Sequence, residues 1–350
     1  MRALSLLLPG DPDTRTGGYL YDRRIAQELG TLGWRVQLRR LHDSFPFPDA
    51  AALAHAAQVL AALPDGATAL CDGLAFGAMP QLAVAAGARL RLAAIVHHPL
   101  ALESGLDAAR AAALEHAERT ALAAASLVIA TSARTAGVLQ TRYRVPAARL
   151  AVVEPGTERA PPARGSGGSE TVLLCVGTLT PRKGHDLLID ALAQVHPARW
   201  RLICAGSLSR DPGWAEALRA RIEAAGMGDR VALLGELDAP ALARCYEQAD
   251  AFVLPTRLEG YGMALAEALA RGLPVITSAG GAAADTVGDA ALLVPGEDVG
   301  ALAQALRRIA TQPALRGELS AAALRRAHAL PSWRQSAQRM DRALRRLDSA

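Results

Sequence analysis

The feature that most constrains the fold is an alternation of short apolar runs with longer amphipathic segments, repeated along the whole chain. The longer segments, such as Leu106–Ala125, have the length and period of helices. Alternating strands and helices predict parallel sheets covered on both faces, which is the doubly wound α/β class. In the first half, the predicted strands lie near Leu4–Leu8, Val36–Leu38, Ala69–Cys71, Leu92–Val96, Leu127–Ala130 and Leu150–Val153.

A break in this alternation divides the chain. Residues 160–169 are rich in proline, glycine and serine, which is typical of a linker. The pattern then restarts with runs at Val172–Val176, Leu202–Ala205, Val231–Leu234, Ala251–Leu254, Val275–Thr277 and Ala291–Val294. A length of 350 residues also favours two domains, at roughly 150 residues each.

We therefore predict two Rossmann-like domains that face each other across a cleft, with ligands at the carboxyl ends of the strands. The first spans residues 1–158, the linker 159–170 and the second 171–331. An amphipathic helix over Ser332–Leu347 is expected to complete the first domain, through residues 332–350.

Charge and cysteine content exclude several classes of function. The 38 basic and 34 acidic side chains give a net charge of only +4 without a basic stripe, which argues against nucleic acid as a partner. The longest stretch without charged side chains, Gly73–Ala88, is too short to span a bilayer, so membrane contact is expected to be peripheral at most. The apolar run Leu4–Leu8 ends at Pro9 and fits a strand better than a signal peptide. The four cysteines lack CxxC spacing, which indicates buried thiols and a cytoplasmic protein.

A concentrated pair of bases follows the first strand of the second half. The loop runs from Gly177 to Gly184 and carries Arg182 beside Lys183, which is the single lysine in the chain. Arginine offers a planar fork to paired oxygens and lysine a compact charge, so the pair suits a phosphate or diphosphate. The alternative is a solvated pair on a surface turn.

The loop after the first strand ends in Gly17 and Gly18, just before a helix that we expect to begin near Tyr19. Glycines at a helix N-terminus let backbone amides approach an anion, although a flexible turn is the alternative. Asp11 and Asp13 also match a metal-binding Asp-x-Asp pattern, but a solvated loop is favoured there.

Two glutamates mark a third loop, which follows the strand that ends at Leu254. Glu259 lies in a glycine-rich turn, and Glu267 comes eight positions later in a helix expected to start near Tyr261. That spacing predicts Glu267 about two helical turns in, on the same side as Glu259. Two such carboxylates can accept hydrogen bonds from the hydroxyls of a polyol at two separate points. Glu267 could instead be a surface residue, but its helix is otherwise apolar, where an unpaired charge is costly to bury.

The third loop also resembles a known family. Glu259 and Glu267, within EGYGMALAEALARGLPVI, are similar to the EX7E motif of retaining GT-B glycosyltransferases of the GT4-like family (glycosyl transferases group 1). The resemblance includes the glycine pair 17–18, VGTLTPRKG at 176–184, TSARTAGVLQTRYRVPAARLAVVEPGT at 131–157 and AGGAAADTVGDAALLVPGED at 279–298. It implies transfer of a hexose-type sugar from a GDP- or UDP-sugar to an acceptor, with retention at the anomeric carbon and without a bound metal or other cofactor.

The resemblance also assigns roles to residues. Arg182 and Lys183 would hold the diphosphate and stabilise it as it leaves, Glu267 would bind the ribose, and His97, at the end of the strand Leu92–Val96, would lie beside the reacting sugar. Catalysis is thereby assigned to His97, Arg182, Lys183 and Glu259. Donor binding is assigned to Gly17, Gly18, Gly177, Arg182, Lys183, Leu237, Glu259, Gly260, Tyr261, Gly262, Met263 and Glu267.

Other functions remain open at this point. A nucleotide-sugar epimerase or a phosphorylase can use the same fold, although Lys183 is poorly placed to hold the pyridoxal phosphate of a phosphorylase. A non-catalytic nucleotide-sugar-binding protein is a further alternative. The acceptor, whether a small molecule, a glycan or a lipid, is not determined. The cluster Arg134, Arg142, Arg144 and Arg149 could contact an anionic acceptor, but a solvated face is favoured.

Overall fold

The computed structural model describes residues 2–348, which form two compact units. The first unit contains the chain up to Gly156 together with the chain from Pro331 onward, and the second is Thr157–Leu330. Residues 1, 349 and 350, which the predicted domain limits include, lie outside the described residues.

Each unit is built on a six-stranded parallel sheet. In the first, the strands are β1 (Arg2–Pro9), β2 (Trp34–Leu41), β3 (Thr68–Asp72), β4 (Arg91–Val96), β5 (Leu127–Ala130) and β6 (Leu150–Val152), in the order β2-β1-β3-β4-β5-β6. In the second, they are β7 (Thr171–Val176), β8 (Trp200–Ala205), β9 (Val231–Leu233), β10 (Ala251–Leu254), β11 (Val275–Ser278) and β12 (Ala291–Val294), in the order β12-β11-β10-β7-β8-β9. The edge strand β2 is longer than its predicted apolar run, because it pairs with β1 along its whole length.

The helices follow the strands and cover the sheets. Those of the first unit are α1 (Gly17–Thr31), α2 (Ala50–Ala61), α3 (Gly73–Phe76), α4 (Pro80–Gly87), α5 (Ala108–Ala124) and α6 (Ala133–Thr141). Those of the second are α7 (His185–Leu192), α8 (Pro212–Ala224), α9 (Ala239–Gln248), α10 (Met263–Ala270), α11 (Ala283–Val287), α12 (Val299–Thr311) and α13 (Pro313–Ala329), after which α14 (Trp333–Arg345) returns to the first unit. Within residues 2–348, we find no helix with the length and apolar character that a bilayer crossing demands.

Helix α14 packs against the first unit through Trp333, which is buried. The Trp333 ring lies 6.2 Å from the ring of Tyr21, whose hydroxyl donates to the carbonyl of Val153 at 2.9 Å. Gly156 permits the close approach, because a Cβ there would lie 2.3 Å from the Cα of Trp333. The C-terminal helix thus belongs to the first core.

The predicted linker segment has neither helix nor strand, but it is fastened to the second unit. The amide of Ala163 donates to the carbonyl of Arg271 at 2.8 Å, and that of Ser166 donates to the carboxylate of Asp250 at 3.0 Å. The other Asp250 oxygen accepts from the amide of Val172 at 2.7 Å, at the start of β7. The segment is therefore part of the second unit.

The strand order locates a crevice in each sheet. In the second unit the chain winds outward from β7 to β9 on one side and from β10 to β12 on the other, so the direction reverses between β7 and β10. In the first unit the corresponding reversal lies between β1 and β3. Open α/β sheets bind ligands at such points, outside the carboxyl ends of the strands.

Candidate active site

The loops that follow β7 and β10 are joined at the reversal point of the second sheet. The carbonyl of Arg182 accepts from the amide of Arg257 at 2.7 Å and from the hydroxyl of Thr256 at 3.0 Å. In return, the Arg182 guanidinium donates to the carbonyl of Leu258 at 2.9 Å. These reciprocal bonds fix the two loops as one structure, which carries the predicted bases and Glu259.

A buried ion pair lies at the centre of this structure. The Nζ of Lys183 is 2.6 Å from Oε1 of Glu259, and Nη1 of Arg182 is 4.0 Å from the same oxygen. Burial acts to raise the pKa of Glu259, but the charges of Lys183 and Arg182 outweigh it and lower that pKa. Burial and the neighbouring Arg182 lower the pKa of Lys183 against the opposing pull of Glu259. Two cations and one carboxylate leave a net positive charge, which suits an anionic ligand.

Glycines allow the close packing of these loops. Gly184, the N-cap of α7, has φ 70°, and a Cβ there would lie 2.0 Å from the carbonyl oxygen of Pro255. Gly281 has φ 62° and pairs with Glu259 in an isolated bridge, where a Cβ would lie 2.2 Å from the Glu259 carbonyl oxygen. The loop after β11 thereby holds the backbone of Glu259 in place.

Glu267 lies on α10 with its own hydrogen-bond partner. Its Oε2 accepts from the hydroxyl of Tyr246 at 3.0 Å, and the Arg271 guanidinium stacks on the Tyr246 ring at 4.3 Å from its centroid. Burial raises the pKa of Glu267. The prediction that Glu267 lies two turns into the helix is wrong: Gly262, with φ 98°, delays the helix start to Met263, so Glu267 lies about one turn in. Its side chain bonds Tyr246, whereas that of Glu259 bonds Lys183.

The other predicted donor-binding residues of the second unit lie in the loops that follow β7, β9 and β10. Gly177 adjoins the Lys183 stem, since a Cβ there would lie 3.3 Å from its Cδ. Gly260, Tyr261 and Gly262 connect Glu259 to Met263, and the buried Tyr261 accepts a hydrogen bond at its carbonyl from the hydroxyl of Thr286. Leu237 is half-buried and lies in the loop after β9. In the same loop, the carbonyl of Gly235 accepts a hydrogen bond at 2.9 Å from the amide of Gly206, which follows β8.

In the first unit, the reversal point brings together His97, at the end of β4, and the glycine pair. Helix α1 begins at Gly17 rather than near Tyr19, and a Cβ on Gly18 would lie 3.3 Å from Cδ2 of His97. The imidazole Nε2 is 3.2 Å from Oδ2 of Asp72 and 3.4 Å from Oδ1 of Asp22. The predicted contact of Gly17 and Gly18 with a donor phosphate stays a prediction.

Both carboxylates beside His97 are buried, with Asp22 1% and Asp72 3% exposed. Burial acts to lower the pKa of His97, but the two carboxylates outweigh it and raise that pKa to about 10. Burial raises the pKa of Asp22 to about 7, although the neighbouring His97 acts to lower it. Sequence reasoning missed both aspartates. Two signals pointed to them: Asp72 directly follows a predicted strand, and Asp22 lies one helical turn after Gly18.

The histidine next to His97 and two arginines of the predicted cluster have other partners. His98 Nε2 lies 3.1 Å from the carboxylate of Glu103, so the two adjacent histidines bind different groups. Arg142 donates to Glu115 through Nε at 2.8 Å, and Arg149 donates to the carbonyl of Ala125 at 2.8 Å. These two arginines therefore stabilise their own unit.

Within residues 2–348, two groups of side chains could hold a metal ion. One is Asp22, Asp72 and His97, and the other is Cys175, His185 and Cys204; within each group the ligating atoms lie within 4.8 Å of one another. Each group offers three protein ligands, one fewer than a structural zinc site uses.

The sequence of this chain is similar to those of known proteins. Residues 157–326 match the family Glycosyl transferases group 1. A lipopolysaccharide core biosynthesis mannosyltransferase, LpcC of Rhizobium leguminosarum bv. viciae, is 32% identical over 54% of this chain and 55% of its own. A GDP-mannose-dependent monoacylated alpha-(1-6)-phosphatidylinositol monomannoside mannosyltransferase of Corynebacterium glutamicum is 36% identical over 46% of this chain and 43% of its own. The chain thus spans about half the length of the curated relatives it matches.

Among solved structures, sucrose-phosphate synthase from Thermosynechococcus elongatus has a TM-score of 0.85, with 23% identity over 100% of both chains. The likeness to this structure shows that the chain has the GT-B fold. The match to the Glycosyl transferases group 1 family lies within the second unit, at residues 157–326. The predicted fold of two doubly wound α/β domains is confirmed, and the predicted family is the one that the second unit matches.

Proposed function

We propose that this enzyme is a retaining glycosyltransferase that moves a hexose-type sugar from a GDP- or UDP-sugar to a hydroxyl of its acceptor. The observation that carries the proposal is the buried cluster at the reversal point of the second sheet, where Lys183 and Arg182 lie 2.6 Å and 4.0 Å from Glu259. A donor diphosphate is the ligand that this excess of positive charge suits.

The chemistry follows from where charge develops. Cleavage of the bond to the sugar leaves negative charge on the diphosphate and positive character on the sugar ring. Arg182 and Lys183 are held in place before the reaction by the loop contacts, so they stabilise the departing diphosphate without reorganising. Glu259 is anchored between the bases and the loop after β11, where it would contact the sugar. We propose same-face displacement, in which the departing phosphate accepts the proton of the acceptor hydroxyl.

Glu267 would bind the ribose of the donor. A carboxylate accepts hydrogen bonds from two neighbouring hydroxyls, and the Tyr246 hydroxyl orients it at 3.0 Å. The backbone of residues 260–263 would line the sugar pocket, and Leu237 would lie beside the base. Gly17 and Gly18 would contribute backbone amides to the donor phosphate.

The reaction is proposed to need no bound metal ion. The charge that a divalent cation supplies to a diphosphate elsewhere is here supplied by Arg182 and Lys183. Activity should therefore be unchanged after exhaustive treatment with EDTA, whereas loss of activity that added Mg²⁺ or Mn²⁺ restores would contradict this part of the proposal.

GDP-mannose is the first donor to test, because one relative is named for its dependence on it and LpcC is named a mannosyltransferase. The names of both relatives point to acceptors of the glycan or glycolipid kind. Thermal unfolding should be followed with GDP, UDP, GDP-mannose and UDP-glucose. Binding at 100 times the dissociation constant adds about 2.7 kcal/mol to stability.

Variants and turnover distinguish the alternatives. Lys183→Met should abolish the thermal shift, whereas Arg221→Met, which removes an exposed ion pair with Asp190 in the same unit, should leave it unchanged. Slow release of free sugar from the donor supports a transferase. Isomerised donor would indicate an epimerase, and binding without turnover would indicate a sensor. If none of the four compounds shifts the transition, the donor site is refuted.

A further inference from the structure

Two cysteines and a histidine lie together in the interior of the second unit. Cys175 of β7 and Cys204 of β8 are register neighbours on adjacent parallel strands, so their side chains point to the same face of the sheet. His185 is the first residue of α7. The two Sγ atoms and a ring nitrogen of His185 lie within 4.8 Å of one another. The three side chains form one compact cluster, which the proposed reaction does not use.

The histidine of this cluster lacks the partner that a buried imidazole needs. His185 is 1% exposed, and within residues 2–348 neither of its ring nitrogens makes a hydrogen bond. Buried polar groups almost always have a partner, and leaving one without a partner costs free energy. The thiols beside the ring are only weak donors and acceptors. A cation held between the three side chains would give a ring nitrogen the partner that the protein itself does not supply.

The chemistry of the donor atoms indicates which cations fit. Cysteine and histidine bind Zn²⁺, and soft thiolates also select Cu⁺. Sulfur at about 2.3 Å and nitrogen at about 2.0 Å from one ion lie roughly 3.5–4 Å apart, which the separations in this cluster allow. The group contains no carboxylate, so it does not suit Mg²⁺ or Ca²⁺, which take oxygen ligands.

The three ligands come from both ends of one loop. Cys175 lies two residues before Gly177, where the loop with the paired bases begins, and His185 directly follows Gly184, where it ends. Cys204 lies on the neighbouring strand. An ion bound to all three side chains would close the loop and attach it to β8. Such a metal link stabilises a fold because it restricts the ends of a loop that the unfolded chain leaves free.

We propose that Cys175, His185 and Cys204 form a binding site for one thiophilic cation, Zn²⁺ or Cu⁺, which links the two ends of the loop 177–184. All three ligands are buried, so the ion stabilises the loop and is not a ligand of the diphosphate. The displacement proposed above therefore still needs no metal. Binding of the ion also needs no donor, so this inference is tested independently of the proposed function.

The first test measures metal binding by the wild-type chain. Protein purified anaerobically in reductant is analysed for bound metal, stripped, and titrated separately with Co²⁺, Zn²⁺ and Cu⁺. We expect one equivalent of Zn²⁺ or Cu⁺ per chain, and a thiolate-to-cobalt charge-transfer band that Zn²⁺ abolishes. Direct competition between Zn²⁺ and Cu⁺ then decides which ion the site prefers. Binding weaker than micromolar for both ions, or a Cys175–Cys204 disulfide in the reduced protein, overturns the proposal.

Matched variants show which side chains bind the ion. Cys175→Ser and Cys204→Ser should each lose the cobalt band and weaken binding by more than about 100-fold, the most that losing an outer-shell partner costs. Cys245→Ser, in the same unit, and Cys71→Ser, a buried thiol of the first unit, should bind like the wild type. A band that survives in both ligand variants, or that both controls lose, overturns the proposal.

X-ray absorption of the loaded wild-type protein keeps the proposal testable if the ligand variants do not fold. Two sulfur atoms at about 2.3 Å from a bound Zn²⁺ support the site, and a shell with fewer sulfur atoms overturns it.

The second test follows stability. With free ion at a thousand times its dissociation constant, the transition of the second unit should rise by roughly 8–16 °C. Cys204→Ser should show no such rise, and a rise equal to that of the wild type would overturn the proposal. Loaded and stripped enzyme should turn over donor equally at a temperature where both are folded, and a difference would overturn the structural role of the ion. If no donor binds the wild type, the proposed function fails, whereas metal binding and the thermal shift still decide this inference.

Discussion

Replacing Lys183 with methionine should destabilise the second unit, because it leaves the Glu259 carboxylate without its nearest cation. Methionine keeps the aliphatic stem that packs beside Gly177, so the change removes charge with little loss of packing. Both partners are well buried, at 14% and 8% side-chain exposure. The remaining carboxylate cannot recover its lost interaction from water.

The magnitude follows from the geometry. Removing one partner of a buried ion pair costs about 3–5 kcal/mol. Arg182 remains 4.0 Å from Glu259 and compensates in part, which places the expected cost near the lower end, at about 3 kcal/mol. For a unit of this size, each kcal/mol lowers Tm by about 2–4 °C, so the transition of the second unit should fall by roughly 6–12 °C.

The measurement is urea and thermal unfolding of four proteins: wild type, Lys183→Met, Lys183→Met with Glu259→Gln, and Arg221→Met. Adding Glu259→Gln should recover most of the lost stability, because it removes the uncompensated charge. Arg221→Met should cost at most about 1 kcal/mol, since Arg221 and Asp190 are 48% and 34% exposed. A single variant within 1 kcal/mol of wild type, or a double variant as unstable as the single one, would refute the reasoning.

The same pair predicts a pH dependence. The folded-state pKa of Glu259 lies below its ordinary value of 4.5, so its contribution is present above pH 4.5 and is lost as the pH falls further. The stability difference between wild type and Lys183→Met should therefore shrink in acid, where Glu259 is protonated in both proteins. A difference that stays constant down to the acid transition would contradict this assignment.

Three further outcomes are expected. Lys183→Arg keeps the charge, but we expect it to lose most donor turnover while unfolding within about 1 kcal/mol of wild type, because a planar fork replaces a compact ammonium; full turnover would contradict this. Burial raises the pKa of Glu118 to about 8, so the first unit should lose stability from pH 4.5 to 8, and urea titrations of Glu118→Gln should show a flatter profile. Gly184→Ala, which places a Cβ 2.0 Å from the Pro255 carbonyl, should lower Tm strongly, whereas Gly317→Ala, in open space on α13, should raise stability by about 0.5–1 kcal/mol.

The sequence determined the elements and their chemistry because those depend on neighbouring residues. Each apolar run that predicted a strand coincides with a strand, except that Val153 and Leu234 lie one residue beyond the ends of β6 and β9, since a buried parallel strand needs a continuous apolar stretch. Arg182 with Lys183 and Glu259 with Glu267 fall in or beside loops after strands, where ligand contacts concentrate. Local pattern also has a limit: helix α10 begins at Met263, later than predicted, because the backbone at Gly262 is left-handed.

Only the tertiary structure decided which of these residues meet. Strand order, not chain order, brings the loop after β10 beside the loop after β7, and so brings Glu259 to Lys183 across 76 positions. Asp22 and Asp72 reach His97 in the same way, from a helix and a strand end that local periodicity treats as unrelated. Periodicity shows which face of an element is buried, but it contains no information on which elements pair. The charge states of Glu259 and His97 follow from those pairings and from burial, so the fold had to be known before either could be assigned.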